Sequence, residues 1–151
     1  MNVKVLVGSG DKIALFTLPF LIVGLILNVA YPSLFDLGGP SNVLRVVSVV
    51  VLIPGITIWL WSIILILTKV PEEELITSGP YSLVKHPLYT SVALLVLPWI
   101  GFLLNTWLGA LTGVILYIGS RIFAGTEEAE LSKTFGISWD EYSNTVKIPW
   151  L

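Results

Sequence analysis

From Ile13 to Tyr31 the chain carries no charged side chain, and three more apolar runs follow: Val43 to Leu67, Leu88 to Leu104 and Trp107 to Ala124, interrupted only by Arg45 and Arg121. Runs near the ~20 residues needed to cross a bilayer leave few folds open, because hydrocarbon supplies no hydrogen bonds to an exposed backbone. Helices meet that demand internally. The expectation is an all-α integral membrane bundle of four transmembrane helices, one domain over residues 1–151, with a C-terminal cytoplasmic interfacial helical segment at 125–151. Composition agrees, since 55% of residues are hydrophobic and only 12% charged, too apolar for an ordinary soluble domain. The first run exceeds a signal-peptide core and no A-x-A-like cleavage site follows it, so it is read as a retained span.

Several function classes fall away on counts alone. The net charge is −2 and the acidic residues gather at Glu72–Glu74 and Glu127–Glu141, leaving no basic face for nucleic acid. There is no cysteine and one histidine, so neither a thiolate nucleophile nor a Cys- or His-based metal site is expected. The amino-terminal "VLVGSG" has the first glycines of a dinucleotide fingerprint but lacks the third at position 13, and a membrane span follows it in place of a βαβ unit. It is read as an amphipathic or frayed lead-in.

The third and fourth runs are joined by "NTW" and should form a tight antiparallel pair. Gly109, Gly113 and Tyr117 recur on one face of the fourth; this spacing serves packing within the chain or dimerisation, and packing is the reading adopted. Pro54-Gly55 in the second run would free a carbonyl and allow a bend. Lys4, Lys12, Lys69, Lys85, Arg121, Lys133 and Lys147 would share one side with Arg45 alone on the other, which puts both termini in the cytoplasm. Tyr31, Phe35 and Trp107 would lie near the outer boundary. Past the last span, Gly125 is expected to interrupt the helix and Thr126 to cap a new one, ended by Gly136. Ser138 and Glu141 have capping-box spacing for a short final helix with Trp139, Tyr142 and Val146 on one side, and the tail through Pro149, Trp150 and Leu151 should lie on the membrane surface.

The only histidine, His86, sits in "TSGPYSLVKHPLYTS" between a lysine and a proline. Proline suits the first turn of a helix, so His86 falls at the start of the third span, where free N–H groups favour a carboxylate or phosphate. Lys85 adds to that field and Tyr89 points to the same side one turn later. A structural reading of the same residues has Lys85 snorkelling, His86 capping and Tyr89 anchoring an interface. The second cluster, Arg121 with Glu127 and Glu128, lies at the same membrane face if the two spans form a hairpin. A carboxylate-attracting helix start beside a pair of glutamates suits a zwitterion.

Two segments, "SGPYSLVKHPLYTS" and "EEAELSKTFGISWDEYSNTVKIP", resemble the paired motifs of the isoprenylcysteine carboxyl methyltransferase family and its phospholipid N-methyltransferase relatives. There a G-P-Y…R-H-P-x-Y segment precedes a helical hairpin and E-E-x-x-L-x-x-x-F-G-x-x-Y-x-x-Y closes the chain. The resemblance covers residues 75 to 149. Lys85 stands where arginine is usual, replacing a bidentate clamp by a point charge, Ser91 stands where glycine is common, and Trp139 takes the first tyrosine position. The resemblance implies S-adenosylmethionine-dependent methyl transfer in the membrane to a lipidic or small hydrophobic acceptor, with Tyr81, Lys85, His86, Tyr89, Glu127 and Glu128 binding the cofactor. Glu128 or a tyrosine would be the base if the acceptor must lose a proton, and Arg121 would orient an anionic acceptor. Two other readings stay open: an NADPH-dependent membrane reductase of the sterol-reductase type, and a non-enzymatic four-helix scaffold. Oligomeric state is left open.

Overall fold

The structure, a computed structural model, describes residues 9–39, 41–149 and 151. The lead-in through Gly8, with Lys4, and Trp150 of the tail lie outside the described residues. All described elements are helical apart from an isolated bridge, Asp36 to Thr106. Four helices build the bundle: α1 (Gly10–Ala30), α2 (Asn42–Lys69), α3 (Pro87–Leu103) and α4 (Leu108–Phe135); a short α5 (Ile137–Thr145) follows.

Three of these, α1, α2 and α4, are long and apolar enough to cross a membrane, and α3 is a shorter apolar helix. Their outward faces are hydrocarbon, with Leu15, Val29 and Val43 at 76, 80 and 74% exposure, an arrangement stable in lipid and not in water. The chain is an integral membrane protein by this surface. Hydroxyls inside the bundle turn back on their own helices: Ser48, Ser62 and Thr112 donate to the carbonyls of Leu44, Ile58 and Leu108, one turn earlier. These three hydroxyls are thereby carried without an open donor, whereas the buried Thr17 hydroxyl of α1 has no partner among the described residues.

The α3–α4 hairpin forms as the sequence leads one to expect. A Cβ on Gly109 would strike the Leu97 carbonyl oxygen and one on Gly113 the Ala93 carbonyl oxygen, so the glycines serve packing between two helices of one chain. Inside α3, Val92–Val96 is a π-helical turn, and the Leu97 N–H reaches the Val92 carbonyl. Pro98 accounts for it, since its ring lacks an N–H and crowds the carbonyl four residues earlier. Gly55 of α2 meets α3 here, its Cα facing Leu95, while α2 runs unbroken through Pro54.

Both ends of the bundle are tied. At one, the Trp107 and Leu37 N–H groups donate to the Phe35 and Asn105 carbonyls, the Trp107 indole donates to Leu34, and Phe35 is buried against Trp107. Phe35 therefore packs inward in the loop at this end of the bundle. At the other end, Ser9, residues 79–87 and the carboxyl segment meet.

Two expectations fail in that segment. The helix does not break at Gly125: α4 continues from Leu108 to Phe135, because a glycine facing open space costs only about 1 kcal/mol against alanine and the flanking residues are helix formers. The expected helix break at Gly125 and the Thr126 cap are thus corrected to one continuous helix. Gly136, at φ +53, does end α4, but α5 starts at once, at Ile137. It has no side-chain cap bond, so the Ser138–Glu141 capping box is not used. Trp139, Tyr142 and Val146 do lie on one side of α5, buried against Leu75, Tyr81, Leu131 and Phe135, so its apolar face is covered by protein.

Candidate active site

The turn before α3 holds its functional side chains through backbone constraints. Gly79, at φ +61 against the Trp61 indole, opens a 3₁₀ turn over Gly79–Ser82 that glycine adopts without the strain of a side chain. The Tyr142 hydroxyl donates to the Tyr81 carbonyl at 2.8 Å, clamping that turn to α5. His86 then occupies the N-cap of α3 with Pro87 at the first helical position, as the K-H-P order suggests. Its ring makes no cap bond. It points at α4 instead.

There the two glutamates come in from a helix 42 residues further along the chain. The His86 Nε2 atom lies 3.2 Å from Glu128 Oε1, its Nδ1 atom 3.9 Å from Glu127 Oε1, and Lys85 donates from Nζ to Glu128 Oε2 at 3.1 Å. His86 is 7% exposed and the Lys85 and Glu128 side chains are 13 and 28% exposed, so the Lys85–Glu128 pair is partly desolvated and its pairing is needed to hold it there. The Tyr89 ring stacks 6.3 Å from His86, and the Lys85 ammonium stands 5.8 Å from the Trp139 ring centroid, within cation–π range. The continuous α4 is what puts both carboxylates on a rigid body.

Of the residues singled out in the sequence, Lys85, His86, Tyr89, Glu127 and Glu128 converge. Tyr81 lies in the turn that Tyr142 holds. Arg121 does not join them: it is exposed and makes no ion pair among the described residues. Burial pushes the Tyr81 phenol well above its usual range, aided by the charge of Glu127, and does the same to Tyr142, aided by Glu128. Neither phenol is ionised near neutral pH, so neither serves as a ready base. Both Glu128 oxygens face nitrogen donors, which also makes that carboxylate a poor acceptor of a further proton.

Two contacts were not visible in the sequence. The Ser9 N–H donates to Glu127 Oε2 at 3.2 Å and the Ser9 hydroxyl to the Phe123 carbonyl at 3.3 Å, tying the start of α1 to the site. Nothing in "GSG" marks that pairing. The Tyr142 clamp had a signal, the tyrosine of the second motif, but its target is a backbone oxygen that spacing cannot identify.

A model of the isoprenylcysteine carboxyl methyltransferase (ICMT) family matches residues 42–133, more than half the chain, and spans α2, the 79–87 turn, the hairpin and both glutamates. The chain belongs to the ICMT family. No curated protein and no solved structure matches it. The match begins earlier than the residues 75–149 on which the resemblance rested and stops short of Gly136, Trp139 and Tyr142. Membership thus rests on α2 to α4, and Lys85, His86 and the glutamate pair lie within the matched residues.

Proposed function

We propose that the chain is an S-adenosylmethionine-dependent methyltransferase acting in the membrane on a lipidic or small hydrophobic acceptor. The observation that carries this reading is the meeting of Lys85 and His86 with Glu127 and Glu128 in a chain of the ICMT family. The donor set suits the cofactor. Lys85 and the N–H groups at the α3 start would hold its α-carboxylate, the glutamates its ammonium, and the Tyr89 or Trp139 rings favour positive charge. In the free chain Lys85 and Glu128 neutralise each other, and a zwitterion offers one group to each, so binding exchanges partners without stranding a buried charge.

Bound there, the cofactor supplies a methyl group already activated on sulfonium. The residues need only fix its orientation, line up the acceptor and exclude water. With Tyr81 and Tyr142 protonated and Glu128 engaged, an acceptor that is already a nucleophile, such as a carboxylate, fits better than one that must first lose a proton. Arg121 has no part in this assignment.

α3 is about 25 Å long at 1.5 Å per residue, close to the ~30 Å hydrocarbon core, and we assign it as the fourth crossing. The distribution of lysine and arginine supports a cytoplasmic position for the site end. Membranes containing the chain, given labelled S-adenosylmethionine and lipid extract, should produce a methylated lipid identifiable by mass. Label transfer absent from every lipid class would reject the reading.

A further inference from the structure

Ser9 makes its bonds outside its own helix. It stands at the N-cap of α1, where serine ordinarily turns its hydroxyl to a free N–H of the first turn, yet here the side chain makes no cap bond. Its hydroxyl donates instead to the Phe123 carbonyl at 3.3 Å and its N–H to Glu127 Oε2 at 3.2 Å, both on α4. Phe123 lies four residues before Glu127, so its carbonyl is also the helical acceptor of the Glu127 N–H. Ser9 therefore grips the Glu127 turn at its backbone and at its carboxylate. Gly125, the weakest helix former of that turn, lies between the two contacts. At 3% exposure, Ser9 is shielded from water that would compete for either bond.

α1 does not depend on these two bonds for its place. Ile13 and Thr17 are buried along it, Phe16 meets Gly119 and Phe123, and Gly24 meets Leu108. What the Ser9 N–H adds is local, the orientation of one carboxylate. The two glutamates differ in how they are held. Glu128 is engaged on both oxygens, by Lys85 and His86, while Glu127 is held on Oε2 by Ser9 and turns Oε1 toward His86 Nδ1 at 3.9 Å, beyond hydrogen-bond range. Oε1 thus faces the cluster already oriented, and an incoming ammonium has less side-chain freedom to remove than a swinging carboxylate would present. We infer that Ser9 is a positioning residue, its main-chain N–H holding Glu127 so that Oε1 receives the ammonium of the zwitterionic ligand. The role rests on the methyltransferase reading. It belongs to a segment that precedes the residues 42–133 of the family match.

The test is calorimetric titration of the full chain in nanodiscs with two ligands, S-adenosylhomocysteine and the same thioether lacking its α-amino group but keeping its carboxylate. Ser9→Pro removes the N–H at a φ of −92, near the value proline adopts, and should weaken S-adenosylhomocysteine about tenfold, the scale of a hydrogen bond to a charged group. The deaminated ligand has no ammonium for Glu127 to hold and should weaken by less than about twofold. Ser9→Ala keeps the N–H and should retain most of the affinity for S-adenosylhomocysteine. In a Glu127→Ala background, Ser9→Pro should cost no further affinity. A merely structural role for Ser9 would move both ligands alike and would persist without Glu127. Equal losses for the two ligands, a loss that survives in Glu127→Ala, or full affinity in Ser9→Pro would overturn the inference. Full affinity in Ser9→Pro removes the positioning role alone, whereas an unaltered chain that binds no S-adenosylhomocysteine removes the methyltransferase reading together with it.

Discussion

His86 and Glu128 illustrate how far single residues could be read in advance. The K-H-P order announced a helix start, and the glutamate pair announced a second polar cluster; their meeting followed once α3 and α4 were paired. Which oxygen faces which nitrogen was not readable, nor was the Ser9 bond to Glu127, because such contacts depend on helix rotation and not on spacing. Glu128→Gln or His86→Ala should weaken S-adenosylhomocysteine binding about 10- to 100-fold, the worth of a charged hydrogen bond at 1.5–3 kcal/mol. Calorimetry on the purified variants checks this, and unchanged affinity in both would displace the site. Tyr142→Phe removes one hydrogen bond to Tyr81 and should lower stability by about 1 kcal/mol, seen as a lower thermal unfolding midpoint. An unchanged midpoint would mean that the clamp is not holding the turn.

Among the elements, α3 and α4 carry the contrast between what pattern reveals and what it hides. The hairpin was legible because Gly109 and Gly113 recur at helical spacing beside a three-residue connection. The continuity of α4 through Gly125 was not, since a glycine followed by Thr-Glu-Glu has the local signature of a cap, and only packing decides between a break and a tolerated glycine. Gly125→Ala should therefore stabilise the protein by up to about 1 kcal/mol, as the added methyl meets open space. A neutral or destabilising result would indicate a broken helix. Gly109→Val, by contrast, drives a side chain into the Leu97 carbonyl and should cost about 1–3 kcal/mol, read as a fall in the same thermal midpoint. α5 shows the opposite limit: its apolar stripe was found from the sequence, but whether lipid or protein covers such a stripe depends on tertiary fit.

For the whole molecule, stability should depend on alkaline pH in a definite direction. The phenols of Tyr81 and Tyr142 start from an ordinary value near 10 and are raised by burial. A raised acid contributes stability fully below its unfolded value and loses it as pH climbs above that value toward the folded one. The thermal midpoint should thus fall above pH ~10, the unfolded tyrosine value, and fall less steeply in Tyr142→Phe; parallel curves would show that this phenol does not drive the loss. The bundle as a whole joins an ion cluster at one end to hydrocarbon faces along its length, and the proposed methyl transfer requires that cluster to receive a zwitterionic donor. The most direct measurement is a calorimetric titration of the intact protein in nanodiscs with S-adenosylhomocysteine, with NADPH run as the control. Saturable binding of S-adenosylhomocysteine that is weakened in Glu128→Gln, with no heat from NADPH, is the predicted result; binding of NADPH alone, or of neither compound, would contradict it.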